Sequence, residues 1–309
     1  MNYFEFQKKF PTEKSVIKYW IKIRYKDGIK CNHCGSDRVS VRRDQPKVCQ
    51  CNSCNNSFSI FKDTIFEDSC TDLRKWMYAI HLFLNGKKGI SGYQLQREIG
   101  VTYKTAWRML KQIRTAMGNQ DNQEFINTII EIDETYVGGK PRPENNHDDD
   151  NNNSGSTGNK RGRGTNKTPV VGVVDRNNKK IHAKVALPNE KGQKLTGKQL
   201  MNILDEVCKT KNFIMTDEFG GYNALNRTNH IHFTIDHKQA YADGFIHTNN
   251  VESFWATLKR GILGIYHHVS ADYLQNYVNE FCFRYNNRKY PNKANPAMFD
   301  IVLRQAILV

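Results

Sequence analysis

Apolar positions recur with three different rhythms along the chain. Over residues 1–25 Phe4, Phe10, Ile17, Tyr19 and Trp20 are interleaved with lysines, a pattern that predicts an amphipathic helix. Leu73, Trp76, Met77, Ile80 and Leu84 follow a helical period, Gly89-Ile90-Ser91 opens a second helix ending at Glu98-Ile99, and Gly100-Val101-Thr102 forms a tight turn. Thr102 is placed to cap a third helix with Ala106, Met109, Leu110 and Ile113 on one face. Strand-like runs follow at Thr128–Val137, Pro169–Asp175, Lys180–Leu187, Phe213–Phe219 and Ile231–Asp236, with a helix at Thr196–Cys208 between the third and fourth. Two further helices are expected at Thr248–Gly261 and Ala271–Arg284, so the second half predicts a mixed α/β layer fold.

One stretch has no rhythm at all. Residues 145–168 contain no Val, Ile, Leu, Met or aromatic side chain and pass from an Asn/Asp run to Lys160-Arg161-Gly162-Arg163-Gly164. Such a segment cannot bury enough apolar surface to order itself, so a flexible insertion is expected. No run approaches the roughly 18 apolar residues of a membrane helix, and residues 1–20 lack the apolar core of a secretion signal. A soluble, cytoplasmic chain follows as the expectation.

Charge changes the picture for the first third. The net charge is +15; residues 1–118 hold 22 Lys/Arg against 10 Asp/Glu, and residues 119–309 hold 24 against 21. The first third is thus either the footprint for a polyanion or a basic, well-solvated surface. Its third helix displays Tyr103, Lys104, Arg108 and Lys111, suited to phosphates or a groove, and two helices joined by a Gly-containing turn form a helix-turn-helix. An ordinary three-helix packing unit is the other reading of the same pattern.

Four of the eight cysteines form two CxxC pairs, Cys31/Cys34 and Cys51/Cys54, with sixteen residues between Cys34 and Cys51. In a long chain without a secretion signal this spacing reads as a four-thiolate zinc ribbon holding one structural Zn²⁺. Cys49 is an alternative to Cys51, but only Cys51 completes the CxxC geometry; His33 is read as a turn residue.

Three acidic positions stand out. Asp133 lies in the nearly continuous apolar run Ile129–Val137, where a carboxylate is costly unless paired or bound to a cation. Strand alternation sends Asp133 and Glu134 to opposite faces, so only one of them is expected in a given site. Asp217 ends the run Phe213–Phe219, where open α/β sheets place their chemistry. Glu252 and Lys259 are seven residues apart and share a helical face with Asn249. On spacing alone Asn249 and Glu252 could be no more than a capping box.

Asp-Glu-Thr-Tyr-Val-Gly-Gly at 133–139, Thr-Asp-x-x-x-Gly-Tyr at 216–222 and the block from His247 to Arg288 together resemble the zinc-ribbon DDE transposases of bacterial insertion sequences. That block contains His-Thr-Asn-x-Val-Glu, Leu-Lys-Arg-Gly, Gly-x-Tyr-His-His-Val-Ser and Glu-Phe-x-Phe-Arg-Tyr-Asn-x-Arg. These enzymes, with their ISXO-like transposase domain, are related to the Merlin elements, and the resemblance covers about residues 25–300. It implies a ribonuclease H-like catalytic domain at 125–300, preceded by a helix and zinc ribbon at 1–65 and a helix-turn-helix at 66–120. It implies that Asp133, Asp217 and Glu252 are the catalytic triad holding two Mg²⁺, with Asn249 or Asn250 as further candidates for the third position. Lys259, Arg260, Lys104, Arg108 and Lys111 are then expected to contact double-stranded DNA, both element ends and target. The implied activity is strand hydrolysis at the element ends and joining of the 3′-hydroxyls to target DNA, by a homodimer or larger assembly on nucleoid DNA with no membrane partner. The alternative is a DNA-binding regulator whose transposase-derived domain is inert.

Overall fold

Pro11 and Thr12 divide the amphipathic stretch expected over residues 1–25 into two helices, α1 (Tyr3–Lys9) and α2 (Glu13–Arg24). Proline disfavours helical backbone at the residue before it, here Phe10, and the Thr12 hydroxyl accepts from Ser15 N to start α2 afresh. The structure, a computed structural model, describes residues 1–119, 123–138, 167–187, 195–235, 244–288 and 296–307. Apart from Lys167 and Thr168, the insertion expected at 145–168 lies outside the described residues. Among the described residues no helix is long and apolar enough to cross a membrane.

The chain forms two compact units, residues 1–120 with 287–309, and residues 121–286. In the first, β1 (Val39–Val41), β2 (Val48–Cys51) and β3 (Ser57–Ser59) make a small antiparallel sheet. Helices α3 (Leu73–Asn85), α4 (Gly92–Ile99) and α5 (Tyr103–Gly118) follow. Gly100 closes α4 in the left-handed region at φ 60°, and the Thr102 hydroxyl accepts from Thr105 N, so the expected turn and cap are both present. Ala106, Met109, Leu110 and Ile113 are all buried, as their periodicity requires.

The last helix, α9 (Pro296–Gln305), belongs to this first unit, although residues up to 300 were expected in the catalytic domain. Its apolar face packs against α2 and the residue between α1 and Pro11: Phe299, Val302 and Leu303 are buried, and the Phe299 ring lies 6.5 Å from that of Tyr19 and 5.9 Å from that of Phe10. The segment after it is bonded to the loop before α3, Ile65 N donating to Ala306 O at 2.9 Å.

The second unit is built on a five-stranded sheet of order β6-β5-β4-β7-β8. Strands β4 (Ile129–Val137), β5 (Thr168–Asp175) and β6 (Lys180–Val185) are antiparallel, and β7 (Phe213–Thr216) and β8 (Ile231–Thr234) run parallel to β4. Helix α6 (Gly197–Val207) covers one face through Leu200, Ile203 and Leu204, packed with Ile130, Ile132, Val171 and Val173. On the other face α7 (Asn249–Gly261) and α8 (Ala271–Asn286) pack Val251, Trp255, Leu274 and Phe281 against Val137, Val170 and Val174. Covering on both faces explains the unbroken apolar runs of β4 and β5. Strand β7 stops at Thr216 and not at Phe219, because the Asp217 carboxylate accepts from Phe219 N and turns the chain into a 3₁₀ segment, Gly220–Arg227.

A Cβ at Gly261 would lie 2.1 Å from Phe281 Cζ, so α7 and α8 meet at a position only glycine fits. Gly261→Ala is expected to destabilise the second unit by about 1–3 kcal/mol through overpacking. Urea unfolding of the full-length chain checks this; an unchanged midpoint would contradict the packing.

Candidate active site

The four sulfurs of the CxxC pairs converge. Cys31, Cys34, Cys51 and Cys54 each place Sγ within 4.8 Å of the others, the Cys31–Cys54 and Cys34–Cys51 separations being 3.6 and 3.7 Å. The edge of a tetrahedron with Zn–S bonds of about 2.3 Å is roughly 3.8 Å, so the donor set fits zinc in type and spacing. The two half-sites fold alike: Cys31 O accepts from Gly35 N and Cys51 O from Asn55 N, with Gly35 and Asn55 in the left-handed region at φ 72° and 57°. Cys49 is buried on β2 outside this cluster, its thiol pushed up to about 11 by burial, and His33 contributes no ligand to it.

A second cluster sits where β4 outruns β7. The pairing of these parallel strands ends at Glu131 and Met215, leaving the edge of β4 open beside residues 133 and 134, and Asp217 follows just past the end of β7. Asp133, Glu134 and Asp217 each bring a carboxylate oxygen within 4.8 Å of the others. The inclusion of Glu134 corrects the expectation from strand alternation. The alternation holds at the backbone, since Trp255 Nε1 on the α7 face donates to Asp133 (3.0 Å) and the Tyr222 hydroxyl on the α6 face donates to Glu134 (3.0 Å). With no strand paired at that edge, the longer Glu134 side chain still reaches its neighbours.

Burial, and then the charges of Glu134 and Asp217, push the Asp133 carboxyl up to about 8, against the opposing Trp255 hydrogen bond. Oxygen donors crowded this closely, one of them with its pKa raised by burial and by its neighbours' charges, fit a hard divalent cation whose charge would relieve the repulsion.

Helix α7 is held to this edge by a residue that sequence reasoning missed. Glu131 is fully buried on β4, two residues before Asp133. Its carboxylate accepts from Asn250 N (2.8 Å), Val251 N (3.1 Å) and Asn250 Nδ2 (2.7 Å), capping α7 from a different element. Arg176 Nε lies 2.8 Å from the same carboxylate and bonds Phe245 O and His247 O, fixing the approach to the helix. Thr248, the residue before α7, makes no side-chain cap, so Glu131 supplies what the local sequence lacks. The period-2 pattern places residues 131 and 133 on one face; nothing in the sequence says which helix end meets them.

Gly172 completes the arrangement. It pairs with Asp133 across β4 and β5, and a Cβ there would lie 2.7 Å from the Trp255 ring. The missing side chain lets the indole lie on the sheet and reach Asp133.

Glu252 stands on the exposed first turn of α7, its carboxylate accepting from the buried Thr248 hydroxyl at 2.9 Å, and it is not a member of the three-carboxylate cluster. Asn250 commits its amide nitrogen to Glu131, while Asn249 is exposed at the helix start. Lys259 is near enough to Asp133 to sense its charge: desolvation lowers the ammonium pKa, Asp133 raises it and Lys167 lowers it. Arg260 is exposed on the same helix, its guanidinium 3.4 Å from the Thr257 hydroxyl. In the first unit Lys104 is exposed on α5, Arg108 donates to the Ser69 hydroxyl (3.3 Å), and the Lys111 ammonium lies 5.8 Å from the Trp107 ring centre.

A mixed α/β unit with acidic side chains gathered at a strand end is the setting in which known proteins offer a comparison. Residues 125–286, more than half of the chain, match the ISXO2-like transposase domain, and the chain belongs to that family, the DDE transposases of insertion sequences. It is 28% identical to an uncharacterized protein in transposable element ISH50 of Halobacterium salinarum, an alignment spanning 93% of this chain and 95% of that one. Over 88 residues it is 28% identical to an uncharacterized transposase-like protein of Haemophilus influenzae, covering 28% of this chain and 71% of the other. Among solved structures it is similar to a chain of the pre-cleavage Mos1 transpososome at 10% identity and a TM-score of 0.27, covering 68% of this chain and 74% of that one.

Removing one charge of a buried pair strands the other. Glu131→Gln is therefore expected to cost the second unit about 3 kcal/mol, the lower end of the usual range because Arg176 keeps some contact with water. A loss below about 1 kcal/mol in urea unfolding would show that Glu131 does not hold α7 in place.

Proposed function

We propose that this protein is the transposase of an insertion sequence. It hydrolyses a DNA strand at each element end and joins the freed 3′-hydroxyls to target DNA at one magnesium-dependent phosphoryl-transfer site. The observation that carries this reading is the convergence of Asp133, Glu134 and Asp217 where the parallel pairing of β4 and β7 ends, in a chain of this family. The sheet order, three antiparallel strands followed by two parallel ones with helices on both faces, supports reading the unit as ribonuclease H-like.

Asp133 and Asp217 are the two fixed carboxylates of the proposed site. Glu252, presented from the first turn of α7, is the third, and Glu134 is a further oxygen donor beside Asp133. Asn249 is the other third-position candidate, since the Asn250 amide is bonded to Glu131. Two bound Mg²⁺ ions would supply activation of the attacking oxygen and stabilisation of the leaving oxygen in an in-line displacement. Trp255 orients Asp133, Tyr222 orients Glu134, and Lys259 offers a positive charge to a phosphate next to the acidic cluster. Both hydroxyls of Tyr136 and Tyr222 are left out of the chemistry, because no covalent intermediate is needed.

In the first unit the four cysteines would hold one structural zinc, and α4 and α5 act as a helix-turn-helix. Lys104, Arg108, Lys111 and Arg260 would contact the backbone of double-stranded DNA, with the working assembly a dimer or larger on DNA in the cytoplasm.

The test is cleavage of DNA carrying the element ends in Mg²⁺. Asp133→Asn and Asp217→Asn are each expected to reduce cleavage and strand transfer at least about 100-fold while DNA binding is kept, because each removes a charge needed to hold the cations. Wild-type activity in either variant would overturn the assignment, and a wild-type protein that bound the ends without cutting would favour an inert, regulatory domain. Glu252→Gln retains a side chain acceptable to a helix start, so its loss of activity would assign it to the chemistry, whereas full activity would pass the third position to Asn249. Metal analysis is expected to find about one zinc per chain, and chelation should unfold the β1–β3 region. A zinc-free protein with that region folded would sink the zinc assignment.

A further inference from the structure

The whole net charge of the protein resides in one of its two units. Residues 1–120 and 287–309 hold 26 Lys/Arg against 11 Asp/Glu, whereas residues 121–286 hold 20 of each. A unit carrying +15 attracts a polyanion of any sequence through phosphate charge alone. Sequence discrimination needs something else: side chains able to touch base edges in a groove.

Among the described residues the basic unit carries an exposed, stacked aromatic pair suited to that task. Tyr93, in the first turn of α4, and Tyr103, the first residue of α5, stack with ring centres 4.4 Å apart and planes 27° from parallel. Both remain open to solvent, at 62% and 40% exposure. The pair is built into the backbone: a Cβ at Gly92 would lie 2.9 Å from Tyr103 Cε2, so glycine there is what lets the ring settle. Ser91 and Thr102 each cap their helix with a side-chain oxygen, at 3.1 and 3.2 Å from Gln94 N and Thr105 N, which fixes where both rings stand. Lys104, next to the stack, and Arg97, one turn along α4 from Tyr93, are exposed.

We propose that the stacked Tyr93–Tyr103 pair is a base-reading element of the protein, its exposed ring surface touching base edges in a DNA groove, thymine methyls among them, while Lys104 meets the flanking phosphate. This deepens the reading of the chain as a transposase that binds element ends. Two helices joined by a three-residue turn reach base edges with the first residues of the second helix, which is where Tyr103 stands. A large apolar ring face suits the thymine methyl, the one apolar mark in the major groove. A second copy of this chain fits the same patch less well, since it would bring two +15 surfaces together.

Selection of a randomised duplex library by the full-length wild-type protein supplies an enriched duplex, compared with a scrambled one by fluorescence anisotropy over a series of salt concentrations. Tyr93→Ala and Tyr103→Ala are expected to lower the affinity ratio between the two duplexes at least about fivefold, with the salt slope unchanged. Gly92→Ala keeps both rings but displaces the stack, and should lower the ratio likewise. Tyr103→Phe should keep it. Lys104→Ala should weaken both duplexes equally and reduce the salt slope by about one. An unchanged ratio in both tyrosine-to-alanine variants overturns the inference, as does a changed oligomeric state with discrimination intact. If no duplex is enriched, the end-binding reading itself fails and takes the inference with it.

Discussion

The buried carboxylate of Glu131 is the interaction on which the acidic site depends. It lies on the central strand two residues from Asp133, and it closes the N-terminus of α7 with bonds to Asn250 N and Val251 N. Buried ion pairs are costly to desolvate and add little net stability. What this one adds is position. Once the start of α7 is fixed to β4, the helical repeat sets where every later residue stands. Trp255 comes over Gly172 and reaches Asp133, Lys259 comes within the field of the same carboxylate, and Glu252 is placed on the opening turn. Arg176 extends the same fastening to the segment before the helix.

Much of this was legible in the sequence. Periodicity gave the strands of the large sheet and α6, α7 and α8 to within three residues, and the double CxxC spacing named the four sulfurs that converge. Asp133 and Asp217 stood out because carboxylates in or beside apolar runs need a reason. The parts that were not legible depend on long-range geometry. Glu134 joins the cluster only because β7 stops pairing at Met215, and a strand end is set by an Asp217 turn that periodicity does not register. Glu131 reads as one more strand residue until its partner, a helix start more than a hundred residues away, is known. The apolar face of α9 is visible in the sequence, but its choice of α2 is a matter of packing. Pro11, a local signal, splits the first amphipathic stretch for an ordinary steric reason.

The two units divide the physical tasks. One is strongly basic and brings four cysteine sulfurs together; the other is electrically balanced overall and gathers three carboxylates where β7 ends. An acidic cluster of this kind repels phosphate, so DNA chemistry at it would need attraction from elsewhere in the chain. In the proposed function the +15 of the first unit would supply it, and Lys259, within the field of Asp133, would offset the repulsion beside the cluster itself.

The central claim is that Asp133 and Asp217 form a divalent-cation site at the open edge of β4. Crystals grown with Mn²⁺ and measured at its absorption edge test this directly, since anomalous scattering locates the ion without reference to activity. The account predicts a manganese peak within bonding distance of both carboxylates in the wild-type protein and its loss in Asp217→Asn. A peak bound elsewhere, with none between Asp133 and Asp217, would contradict it.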